Sequence, residues 1–519
     1  MSPLASSPGS IRPELLEVLA RRALTEDAAR PEAVEALHAR GGRTAREQVA
    51  ALVDPGSFVE YGRFVTAAQE DKRSMDDLLD RTVADGIVGG LATIDGRPVA
   101  VLSYDYLVMA GTQGMRGHRK TDRLLDVVER LALPCVFFAT GGGGRPGDTD
   151  IPLVSALDVT TFAAWARLSG KVPRIAVVEG PCFAGNAVVA GCSDLVVATP
   201  RASLGMGGPA MIAGGGLGDV RAADVGPLDV MTANGVVDVA VDEDDAVDAA
   251  RALIGYFLGD EETWEVPDQT PLREAVPDGE RTSYELGPVV ETICDAGTVT
   301  ELRPDFAPEL LTALGRIEGR TVGLLGNDTR HLAGAITADA GDKAARFLQL
   351  CDAHGFPVVS LVDTPGMMVG PDAERTGLVR HTSRLLVAGA QLQVPLVGVV
   401  LRRGYGLGAQ AMLGGSTHQP LMTLAWPGAH LGAMGLEGAV RLSMRRELEA
   451  IEDEAEREQQ VRELTAYAQA HSTALNVARH FEIDDVIDPA ETRQVLAAVI
   501  GAAARDGRLV GSGRTVDTW

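Results

Sequence analysis

Four short features of the 519-residue chain recur in a single register. Ile94-Asp95-Gly96-Arg97 returns as Ile317-Glu318-Gly319-Arg320, and the step from Ile94 to Ile317 sets that register. Lys120 returns as Lys343, Leu133-Pro134-Cys135-Val136 as Phe356-Pro357-Val358-Val359, and Gly185 as Gly408, all at the same offset. Agreement of this kind predicts two copies of one domain, about 220 to 250 residues each. A chain this long also exceeds one ordinary core.

Each copy reads alike. The apolar runs Val99–Ser103 and Thr321–Leu325 precede helices around Lys120 and Lys343. The strands 134–140 and 357–363 then end in glycine turns. The strands 174–179 and 396–401 follow, each running into a second glycine turn and a helix. Strands alternating with helices predict an α/β fold with largely parallel pairing. The polar stretch Gly259–Tyr284 carries Pro267, Pro271 and Pro277 and reads as a linker, giving domains 1–265 and 266–519. The first 60 residues read as helical, with a stop at Asp54-Pro55-Gly56.

Four turns matter for function: Gly141-Gly142-Gly143-Gly144-Arg145, Ala184-Gly185-Asn186, Asp363-Thr364-Pro365-Gly366 and Gly406-Leu407-Gly408. The second and fourth precede helices, so unpaired backbone N–H groups point outward at a positive helix end. Such a turn holds a phosphate, or a carbonyl oxygen gaining negative charge. Gly142-x-Gly144-x-x-Gly147 fits a dinucleotide string, but Pro146 stands where the helix should begin and no acidic residue follows at ribose-binding distance. No GxSxG, HExxH or P-loop is present, and the nine histidines do not cluster. A chain rich in N–H turns and poor in acid–base constellations suits enolate chemistry in which a cofactor supplies the base.

The formal charge of −25 argues against nucleic acid and against a basic membrane-binding surface. The five cysteines form no CxxC pair, so no metal site is expected. The N-terminus lacks a leader pattern, and no run reaches the roughly 18 apolar residues of a membrane span. A cytoplasmic protein is expected.

Longer motifs carry a family resemblance across nearly the whole chain. They include Thr44-Ala45-Arg46-Glu47, Asp54-Pro55-Gly56-Ser57-Phe58-Val59-Glu60, the turn ending at Arg145, Gly180-Pro181-Cys182 and Gly208-Pro209. The second half carries Lys343-Ala344-Ala345-Arg346-Phe347, Val362-Asp363-Thr364-Pro365-Gly366, Arg402-Arg403-Gly404-Tyr405-Gly406 and Ala425-Trp426-Pro427. With these motifs the chain resembles the β subunits, or carboxyltransferases, of biotin-dependent acetyl- and propionyl-CoA carboxylases.

The resemblance implies two tandem crotonase-like (ββα superhelix) domains, the first holding acyl-CoA and the second biotin. It implies a hexamer built as a dimer of trimers, in which the first domain of one chain faces the second domain of another. Two oxyanion holes are implied, from the N–H groups of Ala184 and Gly185 for the thioester enolate and of Leu407 and Gly408 for the biotin carbonyl. Expected acyl-CoA contacts are Gly142, Gly143, Gly144, Arg145, Gly208 and Pro209. Arg116, Arg119, Lys120 and Arg123 form a basic cluster in an acidic chain; it is either a clamp for the CoA phosphates or a solvated helix face. Expected biotin contacts are Asp363, Pro365, Gly366, Tyr405, Gly406 and Gln410.

The lysines are Lys72, Lys120, Lys171 and Lys343, none in a Met-Lys-Met context, so biotin is expected on a separate carrier subunit with its biotin carboxylase. The chain departs from the family at Asn186, at Leu407 and in the glycine loop Gly214–Gly218, which resembles the carboxyltransferase parts of long single-chain acyl-CoA carboxylases. Three other readings stay open: a biotin-independent malonyl-type CoA decarboxylase, a non-catalytic assembly subunit, and a crotonase-type hydratase or isomerase, which would want paired carboxylates near the hole.

Overall fold

The computed structural model describes residues 12–145, 148, 157–504 and 510–518. Pro146 and Gly147 of the dinucleotide-like string lie outside them. The chain divides into two compact units. Residues up to Leu168, Val172–Met231 and Ala240–Ile254 form the first; Ser169–Lys171, Thr232–Val239 and the chain from Gly255 onward form the second.

In the first unit a hairpin, Ile87–Ile94 with Arg97–Tyr104, begins the run of central strands. Parallel strands Cys135–Phe138, Arg174–Val178 and Leu195–Ala198 then add in order. The second unit repeats the plan: the hairpin Leu310–Ile317 with Arg320–Asn327, then parallel Val358–Thr364, Leu396–Tyr405 and Met422–Ala425. Helices Met115–Leu131 and Ala338–His354 occupy the same place in each plan, at the offset of the sequence repeat.

The strands Arg97–Tyr104, Cys135–Phe138 and Arg174–Val178, their counterparts in the second unit and the helices between them stand where hydrophobic patterning placed them, whereas Leu195–Ala198 and Met422–Ala425 are further strands that it did not mark. The strands Ile87–Ile94 and Leu310–Ile317 were not anticipated, and each pairs antiparallel with the strand that follows it. The repeated tetrapeptide is the turn of each hairpin. Asp95 and Gly96 have φ +50° and +74°, Glu318 and Gly319 φ +52° and +74°. Two successive positive-φ residues match the right-handed twist of the strands they join, which favours glycine at the second.

The stretch Gly259–Tyr284 is not a free linker. Leu272 is 1% exposed, Arg273 pairs with Asp488 and the Glu261 N–H donates to the Gly319 carbonyl at 2.9 Å. Its prolines and polar residues therefore anchor irregular backbone rather than separate two bodies. The N-terminal residues are helical at Pro13–Leu24, Pro31–His38 and Ala45–Leu52, the last opened by a capping box between Thr44 and Glu47. Among the described residues no helix is long and apolar enough to cross a membrane.

Candidate active site

In the first unit the strand Cys135–Phe138 runs into the glycine turn at Gly141–Gly144. Backbone packs on backbone there: a Cβ on Gly141 would collide with the Gly111 carbonyl and the Asn186 amide. Asn186, fully buried at the start of the helix Gly185–Gly191, explains the departure from a small residue at that position. Its Oδ1 accepts from the Gly143 N–H at 2.9 Å and its Nδ2 donates to the Gly111 carbonyl at 3.4 Å. It fixes the Gly143 backbone, held at φ +88°.

The expected pair of N–H donors is altered. Ala184 sits at φ +50°, ψ −120°, and its N–H donates to the Gly205 carbonyl at 3.0 Å. It is therefore committed to the backbone. The Gly185 N–H lies in the first turn of its helix, where no intrahelical acceptor exists.

Gly185 opens onto a cavity of about 430 Å³ that also takes in Gly144, Arg145 and Arg119. Gln113, His118, Asp122 and Phe162 complete much of its wall, and none of them was singled out from sequence. No motif marks them, since residues 113–122 and 162 meet only through the fold. His118 Nδ1 lies 2.9 Å from Thr161 Oγ1, and burial pushes its pKa down, favouring the neutral ring.

The basic cluster is not brought together. Arg119 faces the cavity. Arg116 pairs with Glu70 and donates to the Ala67 carbonyl at 3.2 Å, and Arg123 pairs with Asp126 at 2.7 Å. Lys120 turns inward: its ammonium donates to the carbonyls of Ile87 and Ala84, and burial pushes its pKa down to about 8. It staples its helix to the sheet and is not placed to clamp a phosphate. Arg145 lines the cavity, but its charge is committed to buried Asp85 and Asp148. Gly142 donates its N–H to the Ala110 carbonyl, while Gly208 packs on Phe183 and, with Pro209, opens a short helix; neither Gly208 nor Pro209 is among these cavity residues.

The second unit repeats the turn with different anchors. Asp363, wholly buried, accepts from Arg402 Nε at 3.0 Å and Arg403 Nε at 2.6 Å. Arg402 also donates to the carbonyls of Gly279 and Thr282 and stacks over Tyr284, while Arg403 donates to the Ala333 carbonyl. The Asp363 carboxylate is thus committed within the fold and does not face a ligand. Tyr405 is 2% exposed, with its hydroxyl on Glu280 at 3.0 Å; burial and that carboxylate push its pKa up.

The backbone of the turn is what remains presented. Gly406, at φ +60°, opens the helix Gly406–Met412, leaving the Leu407 and Gly408 N–H groups without intrahelical acceptors. A Cβ on Gly408 would lie 2.6 Å from the Gly366 carbonyl carbon, and Gly366 itself has φ +127°. Exposed Pro365, Leu407 and Gln410 flank this cradle.

Two strand–glycine–helix turns related by the sequence repeat thus present backbone N–H groups, one in each unit. The carboxyl transferase domain matches residues 36–510. This chain belongs to the carboxyl transferase domain family. It is 34% identical over 493 residues to the propionyl-CoA carboxylase beta chain of Saccharopolyspora erythraea, covering 90% of this chain and 89% of that one. A single-chain, multi-domain long-chain acyl-CoA carboxylase superposes with a TM-score of 0.90 at 50% identity, over 94% of this chain. The present chain spans 49% of that protein's length. Transcarboxylase 12S, solved as a hexamer with methylmalonyl-CoA bound, superposes with a TM-score of 0.84 at 31% identity, over 98% of this chain and 99% of that one.

Proposed function

We propose that this chain is the carboxyltransferase component of a biotin-dependent acyl-CoA carboxylase, moving a carboxyl group from a biotinylated carrier protein to the α-carbon of an acyl-CoA through an enolate. The observation that carries the reading is the matched pair Gly185 and Gly408. Each lies in the first turn of a helix that follows a strand, and each sits where crowding by its neighbours excludes a side chain. We infer that the two units are tandem crotonase-like domains, which their shared element order at one offset supports.

The cavity at Gly185 suits an acyl thioester. The Gly185 N–H holds the thioester oxygen as it gains charge, and Phe162 walls the acyl side. The cradle between Gly366 and Gly408 fits a urea carbonyl, because the absence of a Cβ lets a small ring approach the Leu407 and Gly408 N–H groups. Carboxybiotin, when bound there, supplies the carboxyl group and the base for the α-proton. The chain's own part is electrostatic: fixed N–H dipoles, each worth about 2.7–4 kcal/mol when aimed at developing charge. We infer that exposed Gln410, two residues beyond Gly408 on the same helix, contacts biotin there. The assembly we infer is a hexamer of the kind solved for transcarboxylase 12S, served by a separate biotin carrier and biotin carboxylase.

Incubation of the purified chain with malonyl-CoA or methylmalonyl-CoA and free biocytin tests the reading. CO₂ release that requires biocytin is expected. Release indifferent to biocytin would instead favour the biotin-independent decarboxylase.

A further inference from the structure

The turn that faces the thioester is one donor short. The Ala184 N–H is committed to the Gly205 carbonyl at 3.0 Å, which leaves Gly185 alone of the expected pair. The side chain of Gln113 packs against the remaining donor residue, Gly185.

Gln113 is 4% exposed and lines the same cavity of about 430 Å³ as Gly185. Its backbone is locked into the glycine turn: its N–H donates to the Gly143 carbonyl at 2.7 Å, and its carbonyl accepts from the Arg145 N–H at 2.9 Å. The carboxamide abuts Gly185 closely enough that a Cβ on that glycine would collide with Oε1. At its other end Nε2 meets the Tyr104 hydroxyl at 2.7 Å. Burial pushes the Tyr104 pKa up, so the phenol stays neutral and can donate as readily as accept.

A carboxamide held this way has two settings, a half turn apart about its last bond. In one, Nε2 donates to Tyr104 and Oε1 faces Gly185. In the other, Oε1 accepts the phenol proton and the NH₂ group faces the cavity beside the Gly185 N–H. The repeat offset carries Gln113 to Ile336, which has no such group, so the device belongs to the first turn alone.

We propose that Gln113 is a catalytic residue of the acyl-CoA half-reaction, its side-chain NH₂ joining the Gly185 N–H to hold the thioester oxygen as negative charge develops. The inference rests on the carboxyltransferase reading. Gln113 makes and breaks no covalent bond; it contributes a hydrogen bond that strengthens as the enolate forms.

Two variants test it in biocytin-dependent CO₂ release from malonyl-CoA and methylmalonyl-CoA. Gln113→Leu removes the donor at similar size. The expected result is a fall in kcat of about 10²–10³-fold, the effect of losing one oxyanion donor. KM should stay within a few-fold, and so should binding of S-ethyl-CoA, which lacks the carbonyl. Gln113→Glu recovers a donor only when protonated, so its kcat relative to the unaltered chain should climb as pH falls. Loss of packing alone predicts a pH-independent ratio. The glutamate variant carries the test if the leucine variant fails to fold. An active unaltered chain with Gln113→Leu within twofold of its kcat, or with a flat ratio for Gln113→Glu, overturns the role of Gln113 and leaves the carboxyltransferase reading standing. An unaltered chain inactive with biocytin on both substrates overturns both.

Discussion

Asp363 shows how far a motif residue's role depends on what surrounds it. The string Val362-Asp363-Thr364-Pro365-Gly366 marked the turn, but the carboxylate holds the guanidinium groups of Arg402 and Arg403. Asp363→Asn would leave two buried cations with weakened partners, a cost of about 3–5 kcal/mol. A urea midpoint unchanged by that substitution would contradict the pairing. Asn186 is the opposite case. Its departure from the family pattern was legible, but its contacts were not, because Gly143 and Gly111 approach it from loops 43 and 75 residues away in sequence. Asn186→Ala should cost about 1–3 kcal/mol by leaving the Gly143 N–H unsatisfied, and should lower turnover by loosening the turn. Both are read by unfolding and by kcat on the same preparation. His118 and Phe162 escaped notice for a similar reason: a cavity wall assembled from two helices leaves no local spacing to read.

The helices that follow each hairpin show one plan with unequal ends. Ala338–His354 is capped by Thr337, whose Oγ1 accepts from the Ala340 N–H at 3.1 Å. The matching cap of Met115–Leu131 is Gly114, because a Cβ there would collide with Arg145 Nη1. Thr337→Ala should lower stability by about 1 kcal/mol, seen as a shift in the denaturant midpoint. Within both helices a lysine ties the element inward. Lys343 donates to the Arg303 and Phe306 carbonyls at 2.8 Å, as Lys120 does to Ile87 and Ala84.

Burial pushes both lysines down to about 8 from an ordinary 10.5. The unfolded chain therefore binds more protons than the folded one between those values, and this contribution to stability rises as pH climbs from about 8 to 10.5. The difference in stability between the unaltered chain and Lys343→Met, followed across that window, should carry this rise. A difference flat with pH would contradict the buried ammonium. In each unit the second hairpin strand, the next two parallel strands and the helices between them were legible from apolar runs punctuated by glycine. The first strand of each hairpin was not. Its Gly89-Gly90 and Gly315 interrupt the run where neighbouring groups, such as the Val59 carbonyl and Cys294 Sγ, crowd in.

At the scale of the molecule, the repeat that carries Ile94 to Ile317 organises the account. It was readable in four fragments, and it now aligns hairpins, helices, buried lysines and both glycine turns. The two turns present different surfaces, a walled cavity at Gly185 and a backbone cradle at Gly408, and the proposed division of acyl-CoA and biotin between the units rests on that difference.

The measurement that bears most directly on this division is biocytin-dependent CO₂ release from malonyl-CoA by the unaltered chain, Gly408→Ala and Gly408→Pro. Alanine and proline crowd Gly366 alike, but only proline removes the N–H. Release should fall with alanine and vanish with proline, while CoA binding stays unchanged in both. Equal release from the two variants, or release from Gly408→Pro matching the unaltered chain, would contradict it.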